Sequence, residues 1–171
     1  DSIPKGSYPT QRGFDGYYGS LSGAGNLYSP KAVYRNEEKV TKFSRGYYYT
    51  DAINEHSVEF ILNHEGASPF FLYVAHYAPH RPLQAPEERI EACRERYRVG
   101  YDVLRQERYK RLKDMGLVGS KAELPIHRNA YKKQARPSWD SLDSGMKEKW
   151  IEEMATYAAM IEIMDDGIGD V

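Results

Sequence analysis

Phe70-Phe71-Leu72-Tyr73-Val74-Ala75-His76-Tyr77 is the stretch on which the fold class turns. It is aromatic and β-branched, bounded by Pro69 and Pro79, and apolar without alternation. Its length suits a strand better than a helix. A strand that is apolar on both sides is buried on both faces, as inner strands of a parallel sheet are when helices cover them. The expectation is an α/β fold with this run as one strong buried strand. A buried turn of helix is the alternative reading.

The surrounding sequence supplies helices. Residues 50–63 place Ile53, Val58, Ile61 and Leu62 at helical spacing, with Thr50 or Asp51 as the cap and Gly66 as a left-handed stop. Ala85-Pro86-Glu87-Glu88 reads as a helix start, with proline and acids in the first turn. Helix recurs over about residues 97–115 and ends at Gly116, and residues 117–138 read as a loop. A long final helix opens at Asp143 or Ser144. In it Met146, Trp150, Met154, Tyr157, Ile161, Met164 and Ile168 step by three and four along one face, a stripe that reads as core. Residues 1–46 are loop-rich, with a possible short hairpin in which residues 32–34 and 39–41 flank Arg35-Asn36-Glu37-Glu38. The division is therefore 1–46 loop-rich and 47–171 helix, strand and helices.

A single inner strand cannot stand alone, because the N–H and C=O groups on both its edges need partners. No second run of that quality occurs in the 171 residues. The chain is thus expected to be a segment of a larger α/β domain. Asp1 and the abrupt Ile168-Gly169-Asp170-Val171 fit that expectation.

Composition narrows the function classes. With 24 Lys and Arg against 25 Asp and Glu, the net charge is −1, which argues against binding nucleic acid or an anionic membrane by bulk charge. No run is long and apolar enough to span a membrane, and no charged-then-apolar leader opens the chain. One cysteine, Cys93, excludes an internal disulfide and any CxxC metal site.

The chemistry concentrates after the apolar run, in Ala75-His76-Tyr77-Ala78-Pro79-His80-Arg81-Pro82. Ligands of open α/β sheets bind beyond the carboxyl ends of strands. A histidine held there between prolines can donate to an anionic ester or protonate a leaving oxygen, and Arg81 can add an anion contact. A surface turn with two incidental histidines is the plainer alternative. The pairs Glu87-Glu88, Glu152-Glu153 and Asp165-Asp166 point about 100° apart on a helix and suit solvated faces better than a metal or acid–base couple. The basic residues of 94–113 are balanced by acids, as on a charged helix surface. No GxSxG, P-loop or GxGxxG is present, and Cys93 has no evident base.

Several blocks together resemble one family. Arg12-Gly13-Phe14-Asp15-Gly16-Tyr17-Tyr18-Gly19 is similar to an RGFDxxxG segment, and Tyr28-Ser29-Pro30 to the Y-x-P that follows it. Residues 70–75 with Ala78-Pro79-His80-Arg81-Pro82-Leu83-Gln84-Ala85-Pro86 resemble a strand and APHxPLxAP turn. Gly100-Tyr101-Asp102-Val103-Leu104-Arg105, Trp139-Asp140-Ser141-Leu142 and residues 154–169 resemble three further blocks, in order. The family is the sulfatases, of the bacterial arylsulfatase kind, within the alkaline-phosphatase-like superfamily. The resemblance covers the middle of the catalytic domain and implies a fragment of an alkaline-phosphatase-like sandwich.

In that family a Cys or Ser of a CxPSR-type motif, matured to formylglycine, attacks sulfur, a calcium ion polarises the sulfate, and Lys and His side chains bind it and assist the leaving group. Residue by residue, only His80 carries over, as the sulfate-contacting, leaving-group histidine. Cys93 lies in no CxPSR, and Asp165-Asp166 match the family's long helix, not its calcium ligands. The resemblance therefore implies calcium and formylglycine for an intact enzyme and neither in this chain, with no metal ligand to assign here. The expected substrate is a sulfate-ester small molecule or sulfated glycan. The expected location is periplasmic or secreted, and the isolated chain is expected to be inactive and to self-associate, most simply as a homodimer. A related phosphodiesterase or phosphonate hydrolase is the second reading, and a non-enzymatic helical interaction module the third.

Overall fold

The computed structural model describes residues 4–23, 25–125 and 136–171. The chain divides into two compact units, residues 1–85 with 157–171, and residues 86–156.

The first unit holds a small antiparallel sheet, β1 (Tyr18–Ser20), β2 (Val33–Arg35) and β3 (Glu38–Lys39), in that order. The expected hairpin is β2–β3. Its turn places Asn36 at φ +54°, a left-handed conformation that asparagine tolerates. Asn36 also exchanges two hydrogen bonds with the Tyr17 backbone, donating its N–H to the carbonyl at 2.7 Å and accepting the Tyr17 N–H on Oδ1 at 2.9 Å. That pair aligns β1, which has no alternating pattern of its own to announce it.

Helix α1 spans Tyr49–Leu62. The expected cap by Thr50 or Asp51 is not made. Tyr48 is the N-cap, and both residues fall inside the first turn, where the Asp51 charge favours the helix dipole. The Tyr49 N–H is satisfied instead by the Leu27 carbonyl at 2.8 Å. Only the first half of the helix is buried, through Tyr49, Thr50, Ala52, Ile53, Asn54 and Ser57, while Leu62 is 78% exposed. The helix stops at Asn63, short of Gly66.

Residues 70–77 are a correction. They form no strand, and Phe71 and Tyr73 are 75% and 70% exposed. Side-chain pattern prepares a strand, but a ladder requires a neighbouring segment to exchange hydrogen bonds. Among the described residues the ladder partners are confined to β1, β2 and β3.

Much of this unit is glued by tyrosine, of which the chain has 15. A buried tyrosine brings bulk together with a hydroxyl that must find a partner. The Tyr49 hydroxyl accepts the Ser20 N–H at 2.7 Å, and the Tyr18 and Tyr47 hydroxyls lie 3.0 Å apart. Such contacts give a loop-rich segment a defined course.

In the second unit, α2 (Glu87–Tyr97) and α3 (Tyr101–Asp114) are separated at Gly100, which has φ +84°. The helix expected from about residue 97 thus starts at Tyr101, and it ends before Gly116 (φ +71°) as expected. A Cβ on Gly100 would collide with the Trp139 indole, so both backbone and space require glycine there. Trp139 opens a short 3-10 turn, and its N–H donates to Asp102 Oδ2 at 2.7 Å. Arg94 reaches Glu87 at 2.6 Å, Glu152 at 2.8 Å, and Glu91. These three carboxylates neutralise a mostly covered guanidinium, and Cys93 beside it is fully buried.

Helix α4 (Ser144–Asp170) begins in the second unit and continues into the first. The Asp143 cap is present, with Oδ1 accepting the Met146 N–H at 2.7 Å. The buried face is not the expected one. Ile151, Ala155, Ala159, Ile163 and Gly167, at steps of four, are buried, whereas Met146, Tyr157 and Ile168 are exposed. Small residues let backbones approach closely, and a reading by side-chain bulk passes over them.

Candidate active-site turn

His80 sits in a turn that starts where the apolar run ends. Its N–H donates to the Tyr77 carbonyl at 2.8 Å. The flanking Ala78–Pro79 and Arg81–Pro82 bonds are both cis, and Ala78 and Ala85 are buried at the ends of the turn. The side chain is exposed. Its Nδ1 lies 2.6 Å from the Arg81 carbonyl oxygen. A carbonyl only accepts, so Nδ1 carries the proton of that bond, and Nε2 is the atom left for a ligand. Neutral, Nε2 offers a lone pair; protonated, it donates to an anion or a leaving oxygen.

Both ends of the turn are tied to the same earlier stretch. The Tyr77 hydroxyl shares its one proton between the Ser22 and Gly23 carbonyls, 2.7 Å from each, and its ring meets Tyr49 edge-on at 4.8 Å. Gln84 Oε1 accepts the Leu27 N–H at 2.8 Å, and the Gln84 carbonyl accepts the Tyr48 hydroxyl at 2.7 Å. Burial pushes the Tyr17 and Tyr48 hydroxyls up to about 12 and raises Tyr49 as well. These hydroxyls are therefore protonated at neutral pH and none serves as a base.

His76 is engaged elsewhere. Its Nε2 donates to Asn54 Oδ1 at 2.6 Å, and burial holds its pKa below the ordinary histidine value. A neutral imidazole committed to a buried amide is a structural element. The sequence marks His80 but carries no mark for Tyr77, Gln84, Tyr48 or Asn54. The nearest signal was the excess of tyrosine.

Calcium requires six to eight oxygen ligands. Among the described residues no three His, Cys, Asp or Glu side chains gather into a cluster that could hold a metal ion. Asp165 and Asp166 are consecutive on α4. Cys93 is fully buried within α2. The described residues thus present His80 on an exposed turn. A recess lined by Asp15, Arg35, Glu37 and Glu38 carries charges of both signs and does not include the histidine turn.

The sulfatase family model matches residues 3–171. An uncharacterized sulfatase of Schizosaccharomyces pombe is 33% identical over 96% of this chain and 32% of its own length. Arylsulfatase J of Mus musculus is 36% identical over 53% of the chain and 17% of its own length. The arylsulfatase of Klebsiella aerogenes is 28% identical over 96% of the chain and 36% of its own length. The chain thus spans about a third or less of these relatives, which come from a yeast, a mammal and a bacterium alike. Matched along nearly its whole length, the chain belongs to the sulfatase family.

Proposed function

We propose that this chain is the histidine-bearing middle of a sulfatase catalytic domain, in a protein that hydrolyses sulfate esters, and that His80 meets the ester through Nε2. The observation that supports this reading is the 2.6 Å bond from Nδ1 to the Arg81 carbonyl, which keeps a proton on Nδ1 and leaves Nε2 as the nitrogen for a ligand. In its charged form Nε2–H donates to a sulfate oxygen or passes its proton to the departing alcohol or phenol.

The nucleophile and the calcium ion are assigned to parts of the family domain outside this chain. Substrates are small sulfate esters or sulfated glycans, met in the periplasm or outside the cell.

A chromogenic aryl sulfate offered to the full-length protein, beside the matching aryl phosphodiester, tests the reaction class. Preference for the sulfate is expected. Preference for the phosphodiester would overturn the assignment in favour of a phosphodiesterase-like relative.

A further inference from the structure

The His80 turn is held at both ends by one stretch of chain more than fifty residues earlier. At its start the Tyr77 hydroxyl bonds the Ser22 and Gly23 carbonyls, and at its end the Gln84 side chain bonds the Leu27 N–H. That stretch is itself anchored. Leu27 is 1% exposed, and its carbonyl accepts the first N–H of α1. Tyr48, immediately before α1, returns to the Gln84 carbonyl at 2.7 Å. Gln84 therefore closes a circuit of Leu27, α1 and Tyr48, so the base of the turn has little freedom to shift. Only the tip, with His80, is exposed.

Resting on the reading of His80 given above, we infer that Gln84 and Tyr77 are positioning residues for the reaction, holding His80 Nε2 at the height and angle at which it meets the ester oxygen. The physical basis is that the buried Leu27 N–H needs an acceptor and that Gln84 Oε1 supplies it. Removing that acceptor invites the turn to lift and water to enter. Displacement of a catalytic group by about 1 Å costs up to about a hundredfold in rate. Gln84 and Tyr77 touch no substrate in this account and act only through His80.

The test uses the full-length protein and aryl sulfates of graded leaving-group acidity. Gln84→Leu, Gln84→Glu and Tyr77→Phe are each made with and without His80→Ala. Gln84→Leu and Tyr77→Phe are expected to lower kcat/KM about tenfold, with the larger loss on the poorer leaving groups. Gln84→Glu keeps an acceptor for the Leu27 N–H and is expected to recover most of that loss. On the His80→Ala background the same substitutions are expected to change kcat/KM less than about twofold, because residues acting through one group are not additive. Losses that multiply with that of His80→Ala, or that are equal for good and poor leaving groups, would overturn the positioning role while leaving the reading of His80 intact. An unaltered kcat/KM in His80→Ala alone would remove both. Tyr77→Phe deletes only a hydroxyl, so it decides the question if Gln84→Leu fails to fold.

Discussion

His76 Nε2 and Asn54 Oδ1 are 2.6 Å apart, joining the apolar run to the buried face of α1. Gly167 of α4 closes the other side, where a Cβ would overlap the Asn54 amide. Three segments meet at one side chain, and each constrains the next. Gly167→Ala is expected to cost about 1–3 kcal/mol, the usual scale of overpacking. Asn54→Ala leaves the His76 N–H without its acceptor and is expected to cost a similar amount. The double variant should be less destabilised than the sum, because removing the amide makes room for the new methyl. Urea unfolding of the four proteins measures this, and strict additivity would contradict it.

The same pair sets a pH dependence. Burial lowers the folded-state pKa of His76 below its unfolded value of about 6.5. Between those two values the unfolded chain binds a proton that the folded chain refuses, so stability falls as pH drops through that window and levels off below it. Melting temperatures from pH 7.5 to 5 should decline less steeply in His76→Gln than in the parent. Identical slopes would show that His76 does not carry the effect.

Association is the expected fate of the isolated chain. Phe70, Phe71 and Tyr73 are exposed on a segment with no ladder partner among the described residues. An unpaired apolar segment is a template for another chain, and burying about 1,000 Å² between copies would cover it. Light scattering at tens of micromolar should report a dimer or larger species, formed by strand pairing or by sharing α4. A clean monomer would contradict this.

What could be read from the sequence divides by range. Helices α2, α3 and α4 and the β2–β3 hairpin were legible because their signals are local: Pro86 with two glutamates, Gly116, Asp143, and the Asn36 turn. The extent of α1 was legible to within a residue at each end, but its cap was not, since its first N–H is satisfied by Leu27, which lies in another segment. The buried face of α4 departs from the bulky stripe because Ala155, Ala159 and Gly167 are buried for their smallness, a property that matters only against a neighbour. Residues 70–77 have a strand's composition without the partners that make one. His80 was visible through its prolines and the block around it. Its supports were not, because Gln84 reaches back 57 residues to Leu27 and Tyr48 forward 36 residues to Gln84. No spacing rule connects such pairs.

His80 Nε2 is proposed as the ester-facing group, and kcat/KM of the full-length His80→Ala protein on an aryl sulfate tests that most directly. A fall of about a hundredfold or more, the scale for losing an acid or a charge-stabilising donor, is the expected result, with folding unchanged because the side chain is exposed. A kcat/KM equal to that of the parent protein would contradict the account.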